Sequence, residues 1–239
     1  MVLRKVQEVR QIEARWRIAV LPLAQSGEPA GLGETVYDHL LAAFVQQARF
    51  RLLERTRLED ILREQRFSQT AHVDRALAVS TGKIAAVEGI LFGTVSQQKP
   101  QTLEVIVHFA DVETTEQLAS VDVYGEDLEL RDVKFLMHGL AWKFQQRFPL
   151  VEGVVIERQG ERLTVNRGSQ DALKQFMKTI LFRDSGVIID PETGRPLGRR
   201  IENLGEARII EVSEAFAQAA LLRSAQTRDV QKLDKFITK

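Results

Sequence analysis

The chain has 239 residues, enough for one large domain or two modest ones, each with a real hydrophobic core. Lys plus Arg and Asp plus Glu both number 33, so the net charge is zero, which argues against a sequence-independent nucleic-acid binder that needs excess positive charge to displace counterions. No cysteine is present, which excludes disulfides, thiolate nucleophiles and Cys-based zinc sites, and no run of 18 apolar residues is available to make a membrane-spanning helix.

The start, MVLRKVQEVRQIEARW, lacks the apolar core of a signal peptide. Residues 1–16 read as a linker or short amphipathic helix, with Val2, Val6, Val9 and Ile12 on one side. RIAVLPL, 17–23, is a short apolar run with a proline near its end and predicts a buried strand. A Gly- and Pro-containing loop follows, then a helix over 34–48 whose apolar positions recur at helical spacing. RFRLLE, 49–54, predicts a strand, and LERTRLEDILREQ, 53–65, supplies the next helix. In it, Thr56 and Glu59 have the spacing of a capping box, Leu58, Ile61 and Leu62 make an inward stripe, and Glu59 and Arg63 are an i,i+4 ion pair in the favoured order. Its mixed charges make no basic groove. A helix over 71–86 and a strand over 89–98 come next.

Leu103, Val105, Val107 and Phe109 alternate with Glu104, Ile106 and His108, the pattern of a half-buried strand. LASVDVY returns as its antiparallel partner, and the longest helix spans 127–148 with Val133, Leu136, Met137, Leu140, Ala141, Phe144 and Phe148 as its apolar stripe. After Pro149 the texture changes to short β-like segments: GVVIER, RLTVNRG, KTILFRD, GVIID and EARIIEV, with DPETGRPLG, 190–198, as a loop. The expected architecture is an α/β (α+β) sandwich with a mixed sheet over 17–148, followed by a small β-barrel over 151–239.

Motifs for chemistry are sparse. Gly31 and Gly33 follow a strand and open a helix, and Glu54 ends the next strand, which imitates a dinucleotide fingerprint. However, Val36 occupies the third glycine position, and seven residues separate Leu23 from Gly31 where the fingerprint needs an immediate turn. His39, His72, His108 and His138 have no second ligand at zinc-site spacing, and neither a nucleophile elbow nor a phosphate loop is present. The reading is therefore a non-enzyme, with no catalytic, cofactor-binding or metal-binding residues.

Three blocks in order carry a resemblance. RIAVLPL comes first. Phe50, Glu54, Arg55, Leu58, Ile61, Leu62, Glu64 and Gln65 follow, then Gly82-Lys83 leading into Ile90-Leu91-Phe92-Gly93-Thr94-Val95. Together they resemble the curli production assembly/transport component (CsgG) family over about residues 17–148, although Ala86-Val87-Glu88 stands where Gly-Ala-Asp is commoner. The resemblance implies a fold like the N-terminal domain of TolB and a place in the bacterial periplasm, with outer-membrane attachment through an N-terminal lipid anchor that this chain does not contain. Pore-forming members insert long amphipathic hairpins. Residues 102–110 are long enough for one such strand, but LASVDVY is short and carries Asp122, and a second long hairpin is missing, so no pore is expected. Val165-Asn166-Arg167-Gly168-Ser169, Asp190-Pro191-Glu192-Thr193-Gly194 and Leu197-Gly198 are similar to the small barrel of flagellar assembly protein T.

Three functions compete on this reading. The leading expectation is a non-catalytic, homo-oligomeric periplasmic scaffold or assembly factor for a secretion or flagellar ring, with envelope proteins as partners, no nucleic acid and no cofactor. The alternatives are a binding module that regulates a cell-wall enzyme or holds a small ligand in the loop 24–33, and a nucleotide-dependent enzyme using Gly31, Gly33 and Glu54.

Overall fold

The computed structural model describes residues 15–26, 32–64, 75–97, 102–126, 129–222 and 229–239, which fall into two compact units, Arg15–Arg147 and a second that runs from Phe148 to Lys239. The amphipathic segment expected over 1–16 lies almost wholly outside the described residues, as do 71–74, Gln65 and Gly31.

In the first unit, β1 (Arg17–Val20) pairs in parallel with β3 (Arg51–Leu52) on one side and β4 (Gly89–Ser96) on the other. Beyond Pro22, which has no N–H for the ladder, β2 (Ala24–Ser26) resumes the pairing along the same strand, opposite Thr94–Ser96. β5 (Leu103–Asp111) and β6 (Gln117–Gly125) then add antiparallel strands, giving a mixed sheet in the order β3-β1-β4-β5-β6. Helices cover both faces. Leu58 of α2 (Arg55–Glu64) and Ala78 and Val79 of α3 (Arg75–Ile84) pack with Ile90, Phe92 and Ala110. On the opposite face, α1 (Leu32–Gln47) and α4 (Leu130–Arg147) enclose an aromatic cluster in which Phe144 meets Phe44, Phe50 and Phe109 edge to face at 5.3–5.4 Å. The Tyr37 hydroxyl donates to the Val20 carbonyl at 2.8 Å and fixes α1 to β1.

Gly93 shows why its block of sequence is so tight. It lies opposite Val107, and a Cβ there would fall inside contact distance of the Ile106 carbonyl oxygen. Since that neighbour is backbone in a paired strand, it cannot swing away. Gly93→Ala is expected to cost about 3 kcal/mol, the upper end of overpacking effects, read as an earlier denaturation midpoint.

Several local expectations are corrected. The strand over 49–54 is only Arg51–Leu52, and the next helix begins at Arg55, with the Leu58 N–H on the Glu54 carbonyl at 3.1 Å. Glu54 is thus the N-cap, and Thr56 and Glu59 sit inside the helix rather than forming a box at its start. Arg63 pairs with Asp60 at 3.2 Å, three residues away, on an exposed surface where such a pair contributes little. The final helix starts at Leu130, and LASVDVY is the core of a nine-residue strand.

The second unit is a closed barrel in the order β10-β11-β8-β7-β12-β9. Its strands are β7 (Glu152–Gln159), β8 (Arg162–Val165), β9 (Lys178–Ile189), β10 (Pro196–Val212), β11 (Ala217–Leu222) and β12 (Lys235–Thr238). Val155, Leu163, Leu181, Ile209, Ala219 and Phe236 are among the side chains that fill it. The expected barrel is present, but its strands are organised differently. KTILFRD and GVIID form one strand, and the expected loop over 190–198 shrinks because β10 starts at Pro196 and runs unbroken into EARIIEV. The second long hairpin judged missing from the sequence is therefore here. The NRGS segment is structural: Asn166 Oδ1 accepts the Val154 N–H at 2.7 Å, Arg167 Nε donates to the Glu152 carbonyl at 2.8 Å, and a Cβ on Gly168 would strike the carbonyls of Ser213 and Glu214.

Candidate interaction surfaces

Of the dinucleotide-like pattern, Gly31 lies outside the described residues. Gly33 is buried in the first turn of α1, packed against the Gln25 side chain, and Glu54 is exposed at the start of α2. Val36 is fully buried, so a side chain fills the space that the fingerprint reserves for glycine. His39, His108 and His138 are half-buried on α1, β5 and α4 respectively, and His72 lies outside the described residues. His108 Nδ1 lies 3.4 Å from Gln117 Nε2, and its ring sits beside Phe92. Among the described residues, no group of three or more His, Asp or Glu side chains could hold a metal ion.

Of the polar residues that carried the family resemblance, Glu54 gives its carbonyl to α2, while the side chains of Arg55, Glu64 and Gln65 lie outside the described part. Arg49, a residue to which sequence periodicity gave no signal, is 1% exposed. Its guanidinium lies 5.4 Å from the Phe50 ring centroid, and burial lowers its pKa to about 9.

What the first unit does offer a partner is α4. Its sequence buries Val133, Met137, Leu140, Ala141 and Phe144 at helical spacing. The other side carries Phe135, 67% exposed, and Trp142, 59% exposed, seven residues apart and so on one face. Between them Gly139 has open space above it, with no atom within 4 Å of where its Cβ would be. Two large rings flanking a bare backbone make a shallow apolar notch, bordered by exposed Lys134 and by Lys143, whose ammonium donates to the Asp122 carbonyl at 2.9 Å. Large aromatics left in water are the usual anchors of protein interfaces. The stripe used to predict α4 marked its buried side, and the exposed aromatics were legible only as residues left off it.

A second surface is the hairpin of β9 and β10. Asp190 organises its tip, accepting from the Glu192 N–H at 2.9 Å and from the Thr193 hydroxyl at 2.7 Å, which holds the Asp190 carboxyl below the usual aspartate range. Val187, Ile188, Ile189 and Leu197 are 42–67% exposed along its arms. Burial acts to raise the Asp184 pKa, but hydrogen bonds from Arg199 and the Gly186 N–H outweigh it and leave the group lowered. No described helix is long and apolar enough to cross a membrane.

Residues 5–103 match the family model described as curli production assembly/transport component CsgG. Comparison with the curated proteins gives no match. Solved structures similar in fold include the LpoB C-terminal domain from Salmonella enterica, at 14% identity and a TM-score of 0.37, covering 52% of this chain and 94% of that one. Lipoprotein GNA1162 from Neisseria meningitidis aligns at 14% identity and a TM-score of 0.41, covering 54% and 96%. The PelC L103M dodecamer from Paraburkholderia phytofirmans aligns at 12% identity and a TM-score of 0.36, covering 56% and 88%.

Proposed function

Taking the CsgG-like segment at residues 5–103 as the premise, we propose that this chain is a non-catalytic component of the bacterial cell envelope, a periplasmic scaffold or assembly factor for a secretion or flagellar ring complex. The family match carries this reading, because it spans the first two blocks of the resemblance and runs past the third. The exposed Phe135–Trp142 face of α4 supports it by giving the first unit an anchor for a neighbouring protein. In this reading residues 17–148 form the assembly domain, and the barrel at 151–239 is a second module of the same scaffold.

The reading does not include a membrane pore. β5 and β6 belong to the central sheet, and their inward side chains are covered by helices. In the β9–β10 hairpin, Pro196–Gly205 of β10 runs beyond the barrel wall, but its partner arm, Arg183–Ile189 of β9, is shorter than the roughly 9–11 residues a crossing strand needs.

The test is self-association and envelope association of the whole protein in its native host. The wild type is expected in the envelope fraction, in a complex larger than one chain. Phe135→Ser combined with Trp142→Ser is expected to release it from that complex while leaving its thermal unfolding within a degree or two, since both side chains are exposed. A monomer found outside the envelope would overturn the proposal. Capture of a cell-wall enzyme without self-assembly would favour the regulatory module instead.

A further inference from the structure

The two faces of the first unit's sheet are covered unequally. On β5, Leu103, Val105, Val107 and Phe109 are buried on the side of α1 and α4, whereas Glu104, Ile106 and His108 on the other face are only half-buried. Among the described residues, α2 and α3 reach that second face at one end, where Leu58, Ala78 and Val79 pack with Ile90, Phe92 and Ala110. Further along, the register sets Ile106 between Thr94 and Asp122, and Glu104 between Ser96 and Tyr124. Asp122 and Tyr124 are exposed, and the Tyr124 hydroxyl donates to Glu126 at 2.6 Å. No Lys or Arg stands on this face of β4, β5 or β6. Glu104, Asp122 and the adjoining Glu126 therefore give it negative charge around an apolar centre, Ile106 and the Tyr124 ring.

The outward side of α4, beyond the sheet's other face, is the complement. Phe135 and Trp142 flank Gly139, and Asp132 is the only acidic residue in the helix. Arg131 lies 3.8 Å from Glu129 and 3.7 Å from Asp132, which leaves exposed Lys134, Lys143 and Arg147 as the net charge of this side. We propose that the outward side of α4 docks on the open β4–β5–β6 face of a second copy of the chain, with Phe135 and Trp142 against Ile106 and Tyr124 and the α4 cations against Glu104 and Asp122.

Charge selects this pairing over α4 against α4, which would bring cations to cations, whereas a basic surface meeting an acidic one is favoured. Size agrees with it. Phe135 and Trp142 stand about 10 Å apart along the helix, and Glu104 to His108 extends about 14 Å along β5. The two surfaces lie on opposite faces of one sheet, so each copy uses both without overlap. A head-to-tail contact of this kind repeats from copy to copy and closes into a ring when the rotation allows it. The inference rests on the scaffold reading and supplies the contact that such a scaffold needs.

Mixing two variants of the purified full-length protein tests it. Phe135→Ser with Trp142→Ser removes the helix surface and keeps the sheet surface, and Glu104→Lys with Asp122→Lys does the reverse. By sedimentation the wild type is expected to self-associate, less so at high salt, and each double variant to lose about tenfold or more in affinity. Mixed one to one, the two variants are expected to form a dimer that grows no further, because one intact helix surface meets one intact sheet surface. Asp122→Asn, which keeps the side chain's size, is expected to weaken self-association about threefold and carries the test if the charge reversal disturbs the strand. The proposal is overturned if the wild type stays monomeric at all concentrations, or if the sheet variants associate as the wild type does, which would assign the contact to α4 alone. It is equally overturned if the mixture stays monomeric while both variants keep the wild-type unfolding temperature. A purified monomer that still fractionates with the envelope would remove this contact and leave the scaffold reading standing.

Discussion

Phe144→Ala is expected to cost the first unit about 4 kcal/mol, within the range for removing a fully buried phenylalanine. Phe144 is completely buried and meets three rings at once: Phe44 of α1, Phe50 at the entrance to β3, and Phe109 of β5. Trp16 extends the cluster onto Phe109 at 5.4 Å. Each edge-to-face contact adds about 0.5–1.5 kcal/mol beyond area burial, and all three are lost together. The cavity would open where α1, α4 and the sheet converge, so neighbours cannot close it without moving an element. Calorimetry should show one transition falling by on the order of 10 °C, while the barrel's transition stays in place. Phe144→Leu is expected to lose less than half as much, because most of the volume remains. Equal losses for the two variants would mean that the cluster collapses around any replacement.

Asp234→Ala is expected to destabilise the barrel by about 3 kcal/mol. Asp234 is 5% exposed and sits directly before β12, the strand that closes the barrel by joining β7 to β9. Both its oxygens bind the Arg183 guanidinium of β9 at 2.7 Å, and Oδ2 also accepts the Gln231 N–H at 2.7 Å. That two-pronged contact raises the Arg183 pKa. Removing the carboxylate leaves a half-buried cation without its anchor and frees the turn that feeds β12. Losing one member of such a pair costs more than losing both. The variant carrying both Arg183→Leu and Asp234→Leu is therefore expected to be more stable than the sum of the single losses implies, by about 1.5 kcal/mol or more in a double-mutant cycle. Additivity in urea denaturation would show that the pair acts through packing alone.

The sequence by itself determined the elements whose signal is local. The apolar spacing of α1 and α4 predicted two helices, because one face of each must be buried whatever the neighbour. The alternation in 103–109 predicted β5, because a strand with one face in the core must alternate. The ordered blocks around Phe50–Gln65 and Ile90–Val95 pointed to CsgG, and the family match over residues 5–103 agrees with them. At Gly93 the structure adds the reason, since only glycine lets β4 and β5 approach there.

Tertiary structure decided what depends on partners distant in the chain. Ala217–Leu222 and Lys235–Thr238 become strands because β8, β10, β7 and β9 supply their hydrogen-bond partners. β9 and β10 read as separate fragments because Gly186, Gly198 and their bulges break the alternation, whereas the cross-strand ladder holds each as one strand. The capping box at Thr56 and Glu59 failed by two residues, since the β3 ladder ends early and Glu54 caps α2. Exposure is likewise a property of the assembled layers. Phe135 and Trp142 differ from Phe144 only in the direction they face from α4, and that direction separates a surface from a core.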